Sequence, residues 1–174
     1  MAQRSIAKGV AVGIAGGVLA SWTMNQFQAA WSMAAENYRS PSSGGKEDAR
    51  DWQERSEGTN ATEIAAQTAA RATIDRRLTR DELAVAAPLV HYAFGAAMGG
   101  LYGGLAEVSP AVRACTGTAY GTAVWVGADE IAMPMLGLSD PEAERPVEMH
   151  AQAFAAHLVY GLTLELVRRA LRRG

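Results

Sequence analysis

The chain has 174 residues, a formal net charge of −2 and one cysteine, Cys115. That length suits one compact domain, the charge excludes the strongly basic field that nucleic-acid binding uses, and the lone cysteine excludes an internal disulfide or a multi-cysteine metal centre. The mean hydropathy, −0.04, is that of a soluble protein only on average, because the polarity is gathered into one block.

One uncharged run precedes that block and three follow it. From Gly9 to Ala35 no side chain carries a charge. A membrane-spanning helix needs about 20 mostly apolar residues, and this run meets the requirement by itself. It is too long for the apolar stretch of a usual signal peptide, so a retained span is expected at about 9–33. Residues 36–82 form the polar block. Within it, Asn60 with Glu63 fits an N-cap and capping box ahead of an alanine-rich helix, expected along the membrane surface. Thr79 with Glu82 fits a second box, and Leu78 with Leu83 a hydrophobic staple. A second helix is therefore expected to start near Arg80 and to cross at about 84–106, with Pro88 as a candidate kink. From Leu83 to Ala106 its only ionisable side chain is His91.

Ser109-Pro110 reads as the start of a third helix, since proline is favoured in a first turn. The run from Ala114 to Ala128 is again uncharged, which places a span at about 111–133, and Pro134 should end or bend it. Pro146 opens a fourth helix, crossing at about 148–168, in which only His150 and His157 are ionisable between Met149 and Leu164. These last two runs reach membrane length only with Asp129, Glu130 and Glu165 near the boundary. A soluble bundle would show a charged face every three or four residues, and the runs show none. The expected fold is all-α: a four-helix transmembrane bundle, residues 1–174 as one membrane domain, with a polar loop and a surface helix between the first two spans.

Short flanks set the orientation through Lys and Arg. Arg4, Lys8, Arg113, Arg168, Arg169, Arg172 and Arg173 fall on one side, so both termini are expected to be cytoplasmic. The arginines from Arg71 to Arg80 run against this, interleaved with acids in a longer loop.

Small residues recur at four-residue spacing: Gly9, Gly13 and Gly17, then Gly95, Gly99 and Gly103, then Gly117 and Gly121, with Gly161 on the last helix. In lipid such stripes let helix backbones touch. They serve either packing within one chain or an interface between copies.

Polar residues form a second pattern. Ser21, Asn25, Gln28 and Ser32 share one face of the first helix. The second and fourth helices repeat His-x-x-aromatic-Gly, as "HYAFG" from His91 and "HLVYG" from His157, and each carries an acid near its cytoplasmic end, Glu107 and Glu165. His91, His157, Asp129, Glu130, Asn25 and Gln28 are expected at one depth, in the outer half. Adjacent helical residues diverge by about 100°, so one of Asp129 and Glu130 is expected inward and the other toward the headgroups. Ionisable groups in a membrane normally face the interior, paired or wet. Three uses stay open: a structural network, a proton or cation path, or a haem or divalent-metal site. No HExxH, nucleophile elbow, P-loop or dinucleotide fingerprint occurs, so no catalytic residue and no enzyme activity are expected.

"HYAFGAAMGGLYGGLAEVSP", "PMLGL" and "HLVYGLTLELVRRALRR" together resemble the YagU-like family of uncharacterised bacterial inner-membrane proteins. The resemblance implies a small multi-span protein of the bacterial inner membrane with no established activity. The functional expectation is a channel-like or transporter-like protein with a polar outer vestibule for protons or cations. Its alternative is a non-catalytic accessory or scaffold subunit. The expected partners are the lipid bilayer and either a second copy or another membrane protein, with no nucleic acid.

Overall fold

The structure of the protein is a computed structural model that describes residues 5–38, 59–136 and 147–172. Among the described residues there are five α-helices and no strand: α1 Ile6–Tyr38, α2 Thr59–Ile74, α3 Arg80–Val108, α4 Thr118–Trp125 and α5 Val147–Arg172. A 3₁₀ segment, Pro110–Gly117, precedes α4, and a π-helical stretch, Val126–Ala132, with a last turn, Met133–Met135, continues it. Two helices among these are long and apolar enough to cross a membrane, α1 over Ile6–Ala35 and α3 over Arg80–Val108. The run through α4 is interrupted, and α5 is diluted by two histidines, a glutamine and a charged last turn.

The firmest packing is backbone on backbone. Along α1 and α3, Gly9 faces Gly103, Gly13 faces Gly99 and Gly17 faces Gly95, each pair so close that an added Cβ would overlap the opposing carbonyl. The sum of the paired numbers is constant, which is the register of antiparallel helices. Ser21 takes the next position, with its Oγ against Gly95. A second zipper joins the α4 region to α5, Gly117 against Gly161 and Gly121 against the His157 carbonyl. The ladders are thus occupied within the chain. Helix α1 also lies on α5, where Thr23 Oγ1 and Thr163 Oγ1 are 3.0 Å apart.

Tyrosines fill the space that the glycines leave. Tyr102 and Tyr120 stack tilted at 4.9 Å. The Tyr120 hydroxyl donates to the Met98 carbonyl at 2.7 Å, and that of Tyr160 to the Gly95 carbonyl at 2.6 Å. Each brings an apolar ring into the core while its hydroxyl finds an acceptor. Buried polar groups share this core with Ala20, Met24, Ala156 and Leu164, while many large apolar side chains stay outside it. Ser21, Gln152, His157, Glu107 and Glu165 are buried, whereas Val85 is 70%, Leu89 67%, Leu101 50% and Leu166 52% exposed.

Several boundaries differ from the sequence expectations. Helix α2 begins at Thr59, so Asn60 lies inside its first turn rather than at its cap. The helix packs on α3, with Ala66 and Ala70 buried against it. Thr79 and Glu82 do form a full capping box, and Glu82 also pairs with Arg76 at 2.6 Å. The third helix does not run unbroken from Pro110. Ala114 is extended, Cys115 and Thr116 have φ of 51° and 56°, and Gly117 has φ of 84°, so regular helix begins at Thr118. Glycine adopts that last conformation without strain, and here it also admits the Gly161 backbone.

The zipper makes a sharp test. Gly99→Leu is expected to destabilise the protein by at least about 3 kcal/mol, the upper end of overpacking costs, because backbone cannot yield. Gly127 has nothing within 4 Å of an added Cβ. Gly127→Ala should be neutral or stabilising by up to about 1 kcal/mol from helix propensity. Thermal unfolding of both variants in detergent checks the pair.

Candidate functional site

Polar and charged side chains gather at the two ends of the bundle. The histidine end combines the start of α3, the π-helical stretch after α4 and the start of α5. Its geometry follows from Pro134. Proline lacks an N–H, and its ring clashes with the carbonyl four residues earlier, that of Glu130. The preceding backbone widens, so that Met133 N–H bonds to the Ala128 carbonyl, five residues back. Such π-bulges re-aim side chains and are frequent at functional sites.

Asp129 and Glu130 stand in that stretch and reach different histidines. Glu130 Oε1 is 3.2 Å from His150 Nδ1, and Asp129 Oδ2 is 3.7 Å from His157 Nδ1. The Glu130 carboxylate is 14% exposed and that of Asp129 26%. The wider turn lets both acids reach α5, at positions two turns apart. His157 Nδ1 also lies 2.9 Å from the Ala153 carbonyl, one turn back on its own helix, so its carboxylate neighbour is the more distant contact.

His91 completes this end. It sits beside the Ser21 backbone carbonyl, with its ring edge-on to Tyr92 at 5.6 Å. Its Nε2 is buried without a partner, as is Trp125 Nε1. The Trp125 ring lies 5.0 Å from that of Phe154, one turn before His157. Asn25 Nδ2 bonds to the Tyr92 hydroxyl at 3.4 Å, and Gln28 stays half-buried without joining the cluster. Among the described residues, no three His, Cys, Asp or Glu side chains come together as a metal ion would require.

The arginine end lies at the opposite side of the bundle. Glu165, 1% exposed, accepts from the Tyr102 hydroxyl at 2.6 Å, from Arg168 Nε at 2.6 Å and Nη2 at 2.8 Å, and from Arg169 Nε at 2.8 Å. Glu107, at the end of α3, accepts from Arg172 Nη2 at 2.6 Å. A buried carboxylate is tolerable only when paired and hydrogen-bonded, and both meet that condition. Arg168, Arg169, Arg172, Glu165, Pro110 and Arg113 line an open pocket of about 460 Å³.

Sequence reasoning placed His91, His157, Asp129, Glu130, Asn25 and Gln28 at one level and Glu107 with Glu165 at another; the structure pairs Asp129 with His157, Glu130 with His150 and Asn25 with Tyr92, and sets Glu107 and Glu165 among the arginines of α5. It missed His150, the three tyrosines and the arginine pocket. The spacing of Glu165 to Arg168 and Arg169 is a legible ion-pair signal, whereas the link from Glu107 to Arg172 joins two residues 65 apart in the chain, on different helices.

The chain belongs to a protein family of unknown function, DUF1440, which it matches over residues 62–166. That match spans both zippers' later partners and all four acids of the two ends, but not α1 or the arginines after Leu166. It carries neither the YagU-like name nor a bacterial origin, which rest on the quoted motifs. No curated protein and no solved structure matches the chain.

Two outcomes follow from the pairing. In double-mutant cycles, Glu130→Gln should couple to His150→Ala by about 0.5–1 kcal/mol but add to His157→Ala within about 0.5 kcal/mol. Equal coupling to both histidines would refute the divergence. At the other end, Tyr102→Phe removes one donor from a buried carboxylate and should cost about 1.5–3 kcal/mol, measured by the same unfolding assay.

Proposed function

We propose that the chain is a four-span membrane protein of the channel-like or transporter-like class, whose histidine end takes protons or cations into the bundle. The observation that carries this is the buried, unpartnered Nε2 of His91, on the helix that Tyr160, one turn after His157, holds through the Gly95 carbonyl. An unsatisfied buried nitrogen costs about 1–3 kcal/mol, and native proteins keep few of them. A mobile occupant, such as a proton carried on water, would relieve the cost and be passed between neighbouring imidazoles. The Asp129 carboxylate near His157 would stabilise the positive charge during that exchange.

The four-span arrangement is supported by the large apolar side chains turned outward on the long helices and on the π-helical stretch, including Leu166 at 52% and Ile131 at 50% exposure. Lipid is the solvent that suits such a surface. The flank charges support placing the arginine end in the cytoplasm and the histidine end outside, and the resemblance supports a bacterial inner membrane. No chemical reaction is assigned.

One observation favours the alternative, a non-catalytic accessory or scaffold subunit. Glycine backbones meet directly, and tyrosines fill the space between the helix pairs, as suits a rigid, dry bundle. A second copy or another membrane protein would then dock on an outer face, since the ladders are already occupied.

Reconstitution separates the two. In liposomes containing the protein, proton flux should exceed that of empty liposomes and fall toward it with His91→Phe or His157→Ala. Flux equal to empty liposomes would leave the scaffold alternative. Orientation is checked with Cys115→Ser as background: an impermeant thiol reagent on intact cells should label Ser43→Cys and spare Arg173→Cys.

A further inference from the structure

We propose that the pocket at the arginine end binds a phosphate group. The pocket, of about 460 Å³, opens between the turn after α3 and the end of α5. Four guanidinium groups stand there or beside it, Arg113, Arg168, Arg169 and Arg172, against two carboxylates, Glu165 and Glu107. Two positive charges are therefore left over. The surplus is localised. Arg168 and Arg169 pair with Glu165, and Arg172 pairs with Glu107, whereas Arg113 makes no ion pair or side-chain hydrogen bond among the described residues.

The hydrogen-bond inventory points the same way. A carboxylate offers about four acceptor positions, and Glu165 already accepts four bonds, one from Tyr102 and three from Arg168 and Arg169. It has no capacity for the remaining donors. Both terminal nitrogens of Arg169 and the whole Arg113 guanidinium lack a protein acceptor among the described residues. Glu165 acts as a positioning residue: it fixes two forks from below and leaves the outer N–H groups of Arg169 to the pocket. A tetrahedral oxyanion with several acceptor oxygens suits such a set, because guanidinium forks bind phosphate bidentately. A carboxylate ligand would offer fewer oxygens to more donors. The bland reading, in which the arginines only neutralise two acids and the α5 C-terminus, leaves Arg113 without a role.

The phosphate could arrive on an anionic lipid headgroup, as in basic pockets between membrane helices, or as a free phosphate. Full-length protein in nanodiscs distinguishes them. One arm titrates inorganic phosphate against chloride in phosphatidylcholine discs and follows binding calorimetrically. The other follows retention of phosphatidylglycerol by native mass spectrometry after exchange into phosphatidylcholine. Saturable binding in the first arm assigns free phosphate, and binding in the second alone assigns the lipid. In the arm that binds, Arg113→Gln should weaken binding at least about tenfold, the loss of a charge-assisted contact. Because Arg113 holds nothing else, that variant should unfold at the wild-type temperature. Arg113→Lys, which keeps the charge but not the fork, should weaken binding less. Arg77→Gln, at the opposite end of the bundle, should not change it. Binding in neither arm, wild-type affinity in Arg113→Gln, or an equal loss in Arg77→Gln would overturn the proposal.

Discussion

Half of the described bundle is registered by the contact of α1 and α3 at Gly9, Gly13, Gly17, Gly95, Gly99 and Gly103. Two helix backbones come so close that no side chain fits between them. Close approach of this kind replaces hydrophobic burial as the source of helix association where the surroundings are as apolar as the side chains. It also fixes relative height. Once Gly17 meets Gly95, Ser21 lies one turn further on, and its carbonyl falls beside His91. The placement of an ionisable group thus depends on residues with no functional groups of their own.

The second zipper does the same for the other half. Gly121 abuts the His157 carbonyl and Gly117 abuts Gly161, which brings the α4 backbone against α5 and sets Trp125 beside Phe154. Between the pairs, tyrosines act as spacers with a polar tip. Their hydroxyls end on carbonyls of α3 or on Glu165, so the space is filled without leaving donors unsatisfied. His91 Nε2 and Trp125 Nε1 are the exceptions among the described residues. Both orphans occur at the histidine end, which sets it apart from the saturated carboxylate of the arginine end.

The two ends therefore differ in kind. At the arginine end, Glu165 is overdetermined by four donors, so the local structure is rigid and its surplus is positive. At the histidine end, the contacts are longer, 3.2 Å and 3.7 Å, and the carboxylates sit on a π-helical stretch rather than a regular helix. A short, fully satisfied network rigidifies its surroundings, whereas longer contacts constrain theirs less.

Much of this was legible in the chain. Uncharged runs, the Thr79–Glu82 capping box and the four-residue glycine spacing are local features, so the sequence by itself determined the helical class, the start of α3 and which helix faces carry no side chains. It also placed His91, His157 and the acids at two levels, because height along a helix is counted in residues. Tertiary structure alone decided the partners. Which histidine each of Asp129 and Glu130 meets depends on a backbone widened ahead of Pro134, and the break at Cys115–Gly117 depends on how near Gly161 must come. The pairing of Glu107 with Arg172 depends on two helices that share no local signal. Periodicity records what one helix offers to its surroundings. Who accepts the offer is set by packing between elements distant in the chain, and no spacing rule contains that information.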